Sequence, residues 1–319
     1  MLIDKFPKLF HKYILNISNS QDDLNYDCYP NDSIKSKKKR ICHLHIKDID
    51  LFNDFYKEYM DNLLENYDVF ITFTEGSFEN IIYSYNKYYE NNELYFLKVK
   101  NKGYDIGPKI ILIHILYNHN IQFSHILFLH SKSDILKRNY YFNPLVGNKN
   151  KIIKNIQLIE NNKKVGGIFP NMFKANDIDV KEVSKNNLCY FNELVKLYGL
   201  KKQNIIDFCE GNCMILHEKI INFIFKNKTQ VLYNLCNEIN SFDENWVRIR
   251  FNIPKIFKLQ DVYSNFINEP NNYKLNNTSQ IGNNLKNPKN DMPDGMFEHV
   301  WERMWVNFIY ELNMGYVSY

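Results

Sequence analysis

The stretch from Leu94 to Asp134 constrains the fold more than any other part of this chain. Leu94-Tyr95-Phe96-Leu97-Lys98-Val99 reads as a strand, and Asn101 to Pro108 as a turn punctuated by Gly103 and Gly107. A helix follows through Ile110 to Leu116, then a second strand, His125-Ile126-Leu127-Phe128-Leu129. That strand runs out into the polar loop His130-Ser131-Lys132-Ser133-Asp134. The pattern is a βαβ unit with polar residues at the carboxyl ends of both strands, where open α/β sheets hold their ligands.

The surrounding sequence repeats this alternation. Ile41 to Ile46 and Val69 to Phe73 read as strands, with a helix capped by Asp50 between them. A further helix is expected around Phe78 to Tyr88, another from Lys151 to Asn161, and a strand from Val165 to Pro170. The second half predicts a helix near Asn192 to Tyr198, a strand Cys213 to Leu216, a helix Glu218 to Phe225 and a last helix from Met296 to Leu312. The expected fold class is α/β: a Rossmann-type, mostly parallel sheet with helices on both faces. Residues 1–39 read as an N-terminal extension and linker, and residues 40–319 as the main domain, with an Asn-rich loop near 265–291.

Composition narrows the function classes. At 319 residues and 45% hydrophobic, the chain can bury one large core. Its net charge of +4 is spread among interleaved acids and bases, so nucleic acid is not an expected partner. One basic tract, Lys35 to Arg40, reads as a solvated entry to the first core strand. No window approaches the ~20 apolar residues of a transmembrane segment, and the N-terminus lacks a signal-peptide pattern. The six cysteines lack zinc spacing. Reduced thiols and a cytoplasmic setting are expected, the host cytoplasm if the chain is viral.

Four polar clusters carry the candidate chemistry. In the first, Gly103 and Gly107 let the backbone approach a ligand, Asp105 offers a hydrogen-bond acceptor, and the following helix start favours anions. It is neither a P-loop nor a dinucleotide fingerprint. In the second, Lys132 offers a charge for a diphosphate, His130 a phosphate or metal contact, and Asp134 a carboxylate for a divalent ion. The third is Glu210-Gly211-Asn212, a carboxylate at a strand edge. The fourth is Asp294-Gly295 followed by His299, Glu302 and Arg303, which share one helix face by their spacing. Each has a plainer structural alternative: a helix cap, a solvated loop, a turn and a surface ion pair.

In this order the clusters resemble the rhamnan synthesis protein F family of glycosyltransferase-like proteins. The resemblance rests on Asn101-Lys102-Gly103-Tyr104-Asp105-Ile106-Gly107-Pro108, Leu129-His130-Ser131-Lys132-Ser133, Gly211-Asn212-Cys213-Met214, and Asp294-Gly295 with His299, Glu302 and Arg303. Tyr104 stands where the family usually has Arg, and Gly211-Asn212-Cys213-Met214 where it usually has a Gly-Thr-Met-Phe-like strand start. The resemblance implies a GT-A-like fold and transfer of a sugar, a deoxyhexose such as rhamnose, from a nucleotide-diphosphate donor. The acceptor would be a glycan or lipid-linked glycan.

On that reading Asn101, Gly103, Asp105 and Gly107 hold the donor, with His130, Ser131, His299 and Arg303 around its phosphates. Lys132 stabilises the leaving diphosphate, and either Glu210 or Asp294 is the base. Lys132 replaces the divalent metal of other such folds, unless Mn²⁺ or Mg²⁺ sits at Asp134. The alternative is a non-catalytic glycan- or nucleotide-binding module on a decayed transferase fold.

Overall fold

The computed structural model describes residues 26–29, 37–46, 49–74, 94–100, 103–131, 134–174, 188–200, 207–236 and 297–319. Asn101, Lys132 and Asp294, the expected helix at 78–88 and the Asn-rich loop lie outside these residues.

Strand-forming runs rich in Ile, Val, Leu and Phe build one eight-stranded sheet. Its strands are β1 (Tyr26–Tyr29), β2 (Arg40–Ile46), β3 (Asp68–Phe73), β4 (Leu94–Val99), β5 (His125–His130), β6 (Val165–Phe169), β9 (Met214–His217) and β10 (Gly315–Ser318). A separate small ribbon pairs β7 (Phe173–Lys174) with β8 (Asp207–Phe208). The order across the sheet is β1-β4-β3-β2-β5-β9-β6-β10. β4, β3, β2 and β5 are mutually parallel, as are β6 and β10. β9 runs antiparallel between β5 and β6, and β1 is antiparallel to β4. The sheet is therefore mixed: four of its pairings are parallel and three, those of β1 and β9, are antiparallel. Tyr26–Tyr29 lies inside the stretch that reads as linker, yet it forms an edge strand.

The helices are α1 (Ile49–Asn66), α2 (Ile106–Asn118), α3 (Ile135–Val146), α4 (Lys149–Asn161), α5 (Leu188–Tyr198), α6 (Glu218–Phe225), α7 (Thr229–Leu235) and α8 (Phe297–Glu311). They cover both faces of the sheet. One core joins β-strand residues such as Ile41, Phe70 and Phe128 to α2, α5, α6, α7 and α8. The other joins Leu44, Ile71 and Leu129 to α1, α3 and α4. The period-two alternation of the strands sends neighbouring residues to opposite cores.

α2 lacks a polar stripe because its first turns are enclosed: Ile110 to Ile113, Ile115 and Leu116 are fully buried, and only its last turns, with His114, Tyr117 and Asn118, reach the surface. α3, which the sequence pattern hides, carries Pro144 in its interior. Asn155 of α4 donates to the carbonyls of Pro144 and Leu145, satisfying acceptors that the last turn of α3 leaves free.

The described part of the basic tract, residues 37–40, joins this frame. The Lys38 ammonium donates to the carbonyls of Leu64 and Tyr67 at the end of α1. Arg40 makes a two-pronged contact with Glu160, at 2.8 and 3.2 Å.

Candidate functional site

The strand order changes direction at β2. From β2 the chain builds outward through β3 and β4, then crosses to β5 on the other side. The carboxyl ends of β2 and β5 thus flank a topological switch point, the place where open α/β sheets bind ligands. Ser131 N–H donates to the His45 carbonyl across this point, at 2.8 Å.

Around it the sheet face toward α2 turns polar. His43 and His45 of β2 stand two apart on one face, and the Thr72 hydroxyl of β3 lies between them. Its oxygen is 2.8 Å from His43 Nε2 and 3.0 Å from His45 Nδ1. One hydroxyl has one proton and two lone pairs, so it donates to at most one of the two rings. His43 is fully buried, and its Nδ1 has no hydrogen-bond partner among the described residues. A bare ring nitrogen is a cheaper orphan than an N–H, which assigns the proton of His43 to Nε2. Burial, reinforced by the charge of Lys109, holds His43 well below the usual imidazole range. Burial lowers His45 to about 4, with Asp105 opposing.

The turn before α2 supplies the charges. Gly103 (φ 75°) and Tyr104 (φ 48°) are both left-handed, which tightens the turn. A Cβ on Gly103 would stand 2.7 Å from Cys236 Cβ. The N–H groups of Ile106 and Gly107 both go to the Gly103 carbonyl, and Pro108 has none. The anion-binding capacity expected of this helix start is thus largely used inside the turn. The positive charge comes instead from Lys109, which is 1% exposed. Its ammonium is bonded to the Asp105 carboxylate and, at 3.2 Å, to the Asp105 carbonyl. It also lies 5.9 Å from the centre of the Phe128 ring. His130 Nδ1 is 3.8 Å from the same Asp105 carboxylate and 3.6 Å from Cys213 Sγ.

The third and fourth clusters meet at a corner formed by β8, a short 3-10 turn (Glu210–Asn212) and β9. Glu302 of α8 accepts the Gly211 N–H through Oε1 at 3.0 Å. Trp305 Nε1 donates to Asn212 Oδ1 at 2.9 Å. The Arg303 guanidinium lies over the Phe208 ring at 5.3 Å. Cys209 joins this corner to the first cluster: burial, then Cys213 and Glu302, push its thiol well up, while Lys109 opposes them. Gly211 is required at φ 79°, and a Cβ there would stand 2.9 Å from the Tyr141 ring. Gly211→Ala should lower stability by about 1–3 kcal/mol. Thermal unfolding checks this, and an unchanged melting temperature would mean the corner is not held as described.

Asp105, Gly103, Gly107, His130 and Ser131 therefore gather at the switch point, with Arg303 on the helix that clamps the neighbouring corner. Glu210 and His299 lie on the 3-10 turn and on α8, but their side chains are outside the described residues, as is all of Lys132. Asp134 is the cap of α3, accepting the Lys137 N–H through Oδ1 at 3.1 Å. Among the described residues no three His, Cys, Asp or Glu side chains are grouped to hold a metal ion, so Asp134 has no described co-ligands for Mn²⁺ or Mg²⁺.

Four residues of the cluster escape sequence reasoning: His43, His45, Thr72 and Lys109. Two signals were present. The histidines alternate at the carboxyl end of a strand, and Lys109 stands four residues after Asp105 in an otherwise apolar run. Among the described residues no helix is long and apolar enough to cross a membrane. The cysteines whose side chains are described, Cys42, Cys209, Cys213 and Cys236, are buried free thiols. No protein-family model matches the chain, and no curated protein sequence matches it.

Proposed function

We propose that this protein is a glycosyltransferase of GT-A-like fold. It would take a sugar from a nucleotide-diphosphate donor and pass it to a glycan or lipid-linked glycan acceptor in the cytoplasm. The observation that carries the reading is the convergence of Asp105, Lys109 and His130 at the switch point between β2 and β5. A nucleotide diphosphate needs an acceptor for its base or ribose and cations for its phosphates. Asp105 suits the first role, and a ring N–H of His130 can donate to a phosphate; Lys109, buried and ion-paired with Asp105, holds that carboxylate in place. Lys132, directly after Ser131, would add charge as the diphosphate leaves. Glu210 or Asp294 would take the acceptor's proton, and His299 and Arg303 would approach from α8. The resemblance to the rhamnan synthesis protein F family implies a deoxyhexose such as rhamnose as the sugar.

The test is thermal unfolding with a panel of nucleotide sugars, with Mn²⁺ or with EDTA, on the wild type and on Lys132→Ala. A ligand of the native state raises the melting temperature by mass action. One donor should raise it in EDTA, and Lys132→Ala should lose the shift. A shift that requires Mn²⁺ would replace the lysine-based site by a metal site. No shift with any nucleotide sugar would overturn the reading. A shift without sugar transfer to any acceptor would leave a donor-binding module in place of an enzyme.

A further inference from the structure

At the amino edge of the sheet a cavity of about 390 Å³ opens between the end of α2 and the face of α6. Its volume lies within the range of about 300–1,000 Å³ of small-molecule sites. β5 separates it from the switch point: Phe123 lies just before this strand and His130 ends it. At about 3.3 Å per residue the two sites stand roughly 20 Å apart. A ligand here does not take part in the chemistry proposed at the other edge.

The lining has a definite character. Leu116, Ile121 and Phe123 form a buried apolar floor. The rim bears the amides of Asn120, Gln122, Asn222 and Asn227. Those of Asn120, Gln122 and Asn227 make no side-chain hydrogen bond with a described residue and are exposed. Asn222 is held in place, because the Tyr117 hydroxyl donates to its Oδ1 at 3.0 Å. The two charges in the lining, Glu218 and Lys226, cancel. A phosphate or carboxylate would find no net positive field here. An alkyl or aromatic ligand would leave the amides unused. A neutral polyol fits both parts: its C–H face lies on the floor and on Tyr117, while its hydroxyls pair with amides that both donate and accept.

We propose that this cavity is a glycan-binding subsite for a neutral oligosaccharide, one that grips an acceptor chain away from its reacting end. The chemistry of the lining carries the glycan class by itself; the word acceptor rests on the transferase reading above. Neutral trisaccharides of glucose, mannose, N-acetylglucosamine and rhamnose are titrated into the full chain, with binding followed by ligand-observed NMR. The same titrations are made on the double variant Gln122→Ala/Asn222→Ala, whose two positions are exposed, so that the core is untouched.

At least one trisaccharide should bind, and the variant should weaken it about tenfold or more at an unchanged melting temperature, the scale of one or two lost hydrogen bonds. Three results would overturn the proposal: no trisaccharide binds, binding survives in the variant, or a sugar phosphate binds better than its neutral parent. A parallel nucleotide-sugar melt on the same variant separates the two sites. Retained donor stabilisation with lost glycan binding places the subsite at the amino edge. Failure of the donor arm alone sinks the transferase and leaves the glycan site standing.

Discussion

Acidification from about pH 7 to about pH 5 should destabilise the fold by roughly 3–6 kcal/mol through three histidines, His43, His45 and His125. His125 stands at the opposite end of the sheet from the other two. Its ring lies edge-on to Tyr67 at 5.7 Å, and its Nδ1 meets the Ser124 hydroxyl at 2.9 Å. Burial lowers His125 to about 4, as it does His45, and holds His43 well below the usual imidazole range. In the unfolded chain all three titrate near the ordinary value of about 6.5. Below that value the unfolded state takes up protons that the folded state refuses. Stability is therefore complete above about pH 6.5 and falls toward pH 4, at up to about 1.4 kcal/mol per pH unit for each ring.

Glu160 extends the loss below this range. Burial raises its carboxyl, but hydrogen bonds from Arg40 and Ser124 outweigh burial and keep it below the ordinary glutamate value. Its contribution is present above that value and disappears as the pH falls through the lowered one. Urea unfolding at a series of pH values measures the slope. A stability profile flat between pH 7 and pH 5 would mean the imidazoles are solvated. Since the total stability of a domain is about 5–15 kcal/mol, the predicted loss is enough to unfold a sizeable fraction of molecules.

Asp105→Asn should cost about 3–5 kcal/mol, far more than the loss of a surface ion pair. The asymmetry of the pair is the reason. Lys109 is 1% exposed, so removing its partner leaves an ammonium in a dry pocket against Phe128. Lys109→Met removes the charge together with the need for a partner and should cost less. The double variant Asp105→Asn/Lys109→Met should recover much of the loss. A full cycle measured by urea unfolding gives the coupling directly. Additive losses, or a single-variant loss below about 1 kcal/mol, would mean the pair is solvated. Donor binding should vanish in the double variant even where folding is restored.

What the sequence makes legible follows from how local each signal is. Leu94–Val99, His125–His130 and Glu218–Phe225 are apolar runs bounded by turn residues, and each forms as its own pattern dictates. α3 was hidden because Lys-Arg-Asn-Tyr-Tyr lacks a clean apolar stripe and Pro144 reads as a break. β1 and β10 are four-residue edge strands whose existence depends on β4 and β6 far away in the chain. The antiparallel insertion of β9 is equally non-local.

The same rule governs the site. Asp105 and His130 are legible because each follows a strand on the ligand edge. Thr72 is not, since its value lies in standing between two rings of a neighbouring strand. Asp134 is ambiguous for a related reason: a carboxylate before a helix serves as a metal ligand or a cap, and in the structure its Oδ1 caps α3.

The place of β9 also bears on how the sheet assembles on the ribosome. β2, β3, β4 and β5 can pair as soon as they emerge, since each finds its neighbour among strands already made. The outer edge of β5 must wait for β9, whose first residue, Met214, comes 84 residues after His130. At about 5–20 residues per second that edge stays open for roughly 4–17 seconds. During that interval Ile126 to Leu129 present an unpaired apolar strand to every other nascent chain in reach, so the late return of a single antiparallel strand sets the period of greatest aggregation hazard.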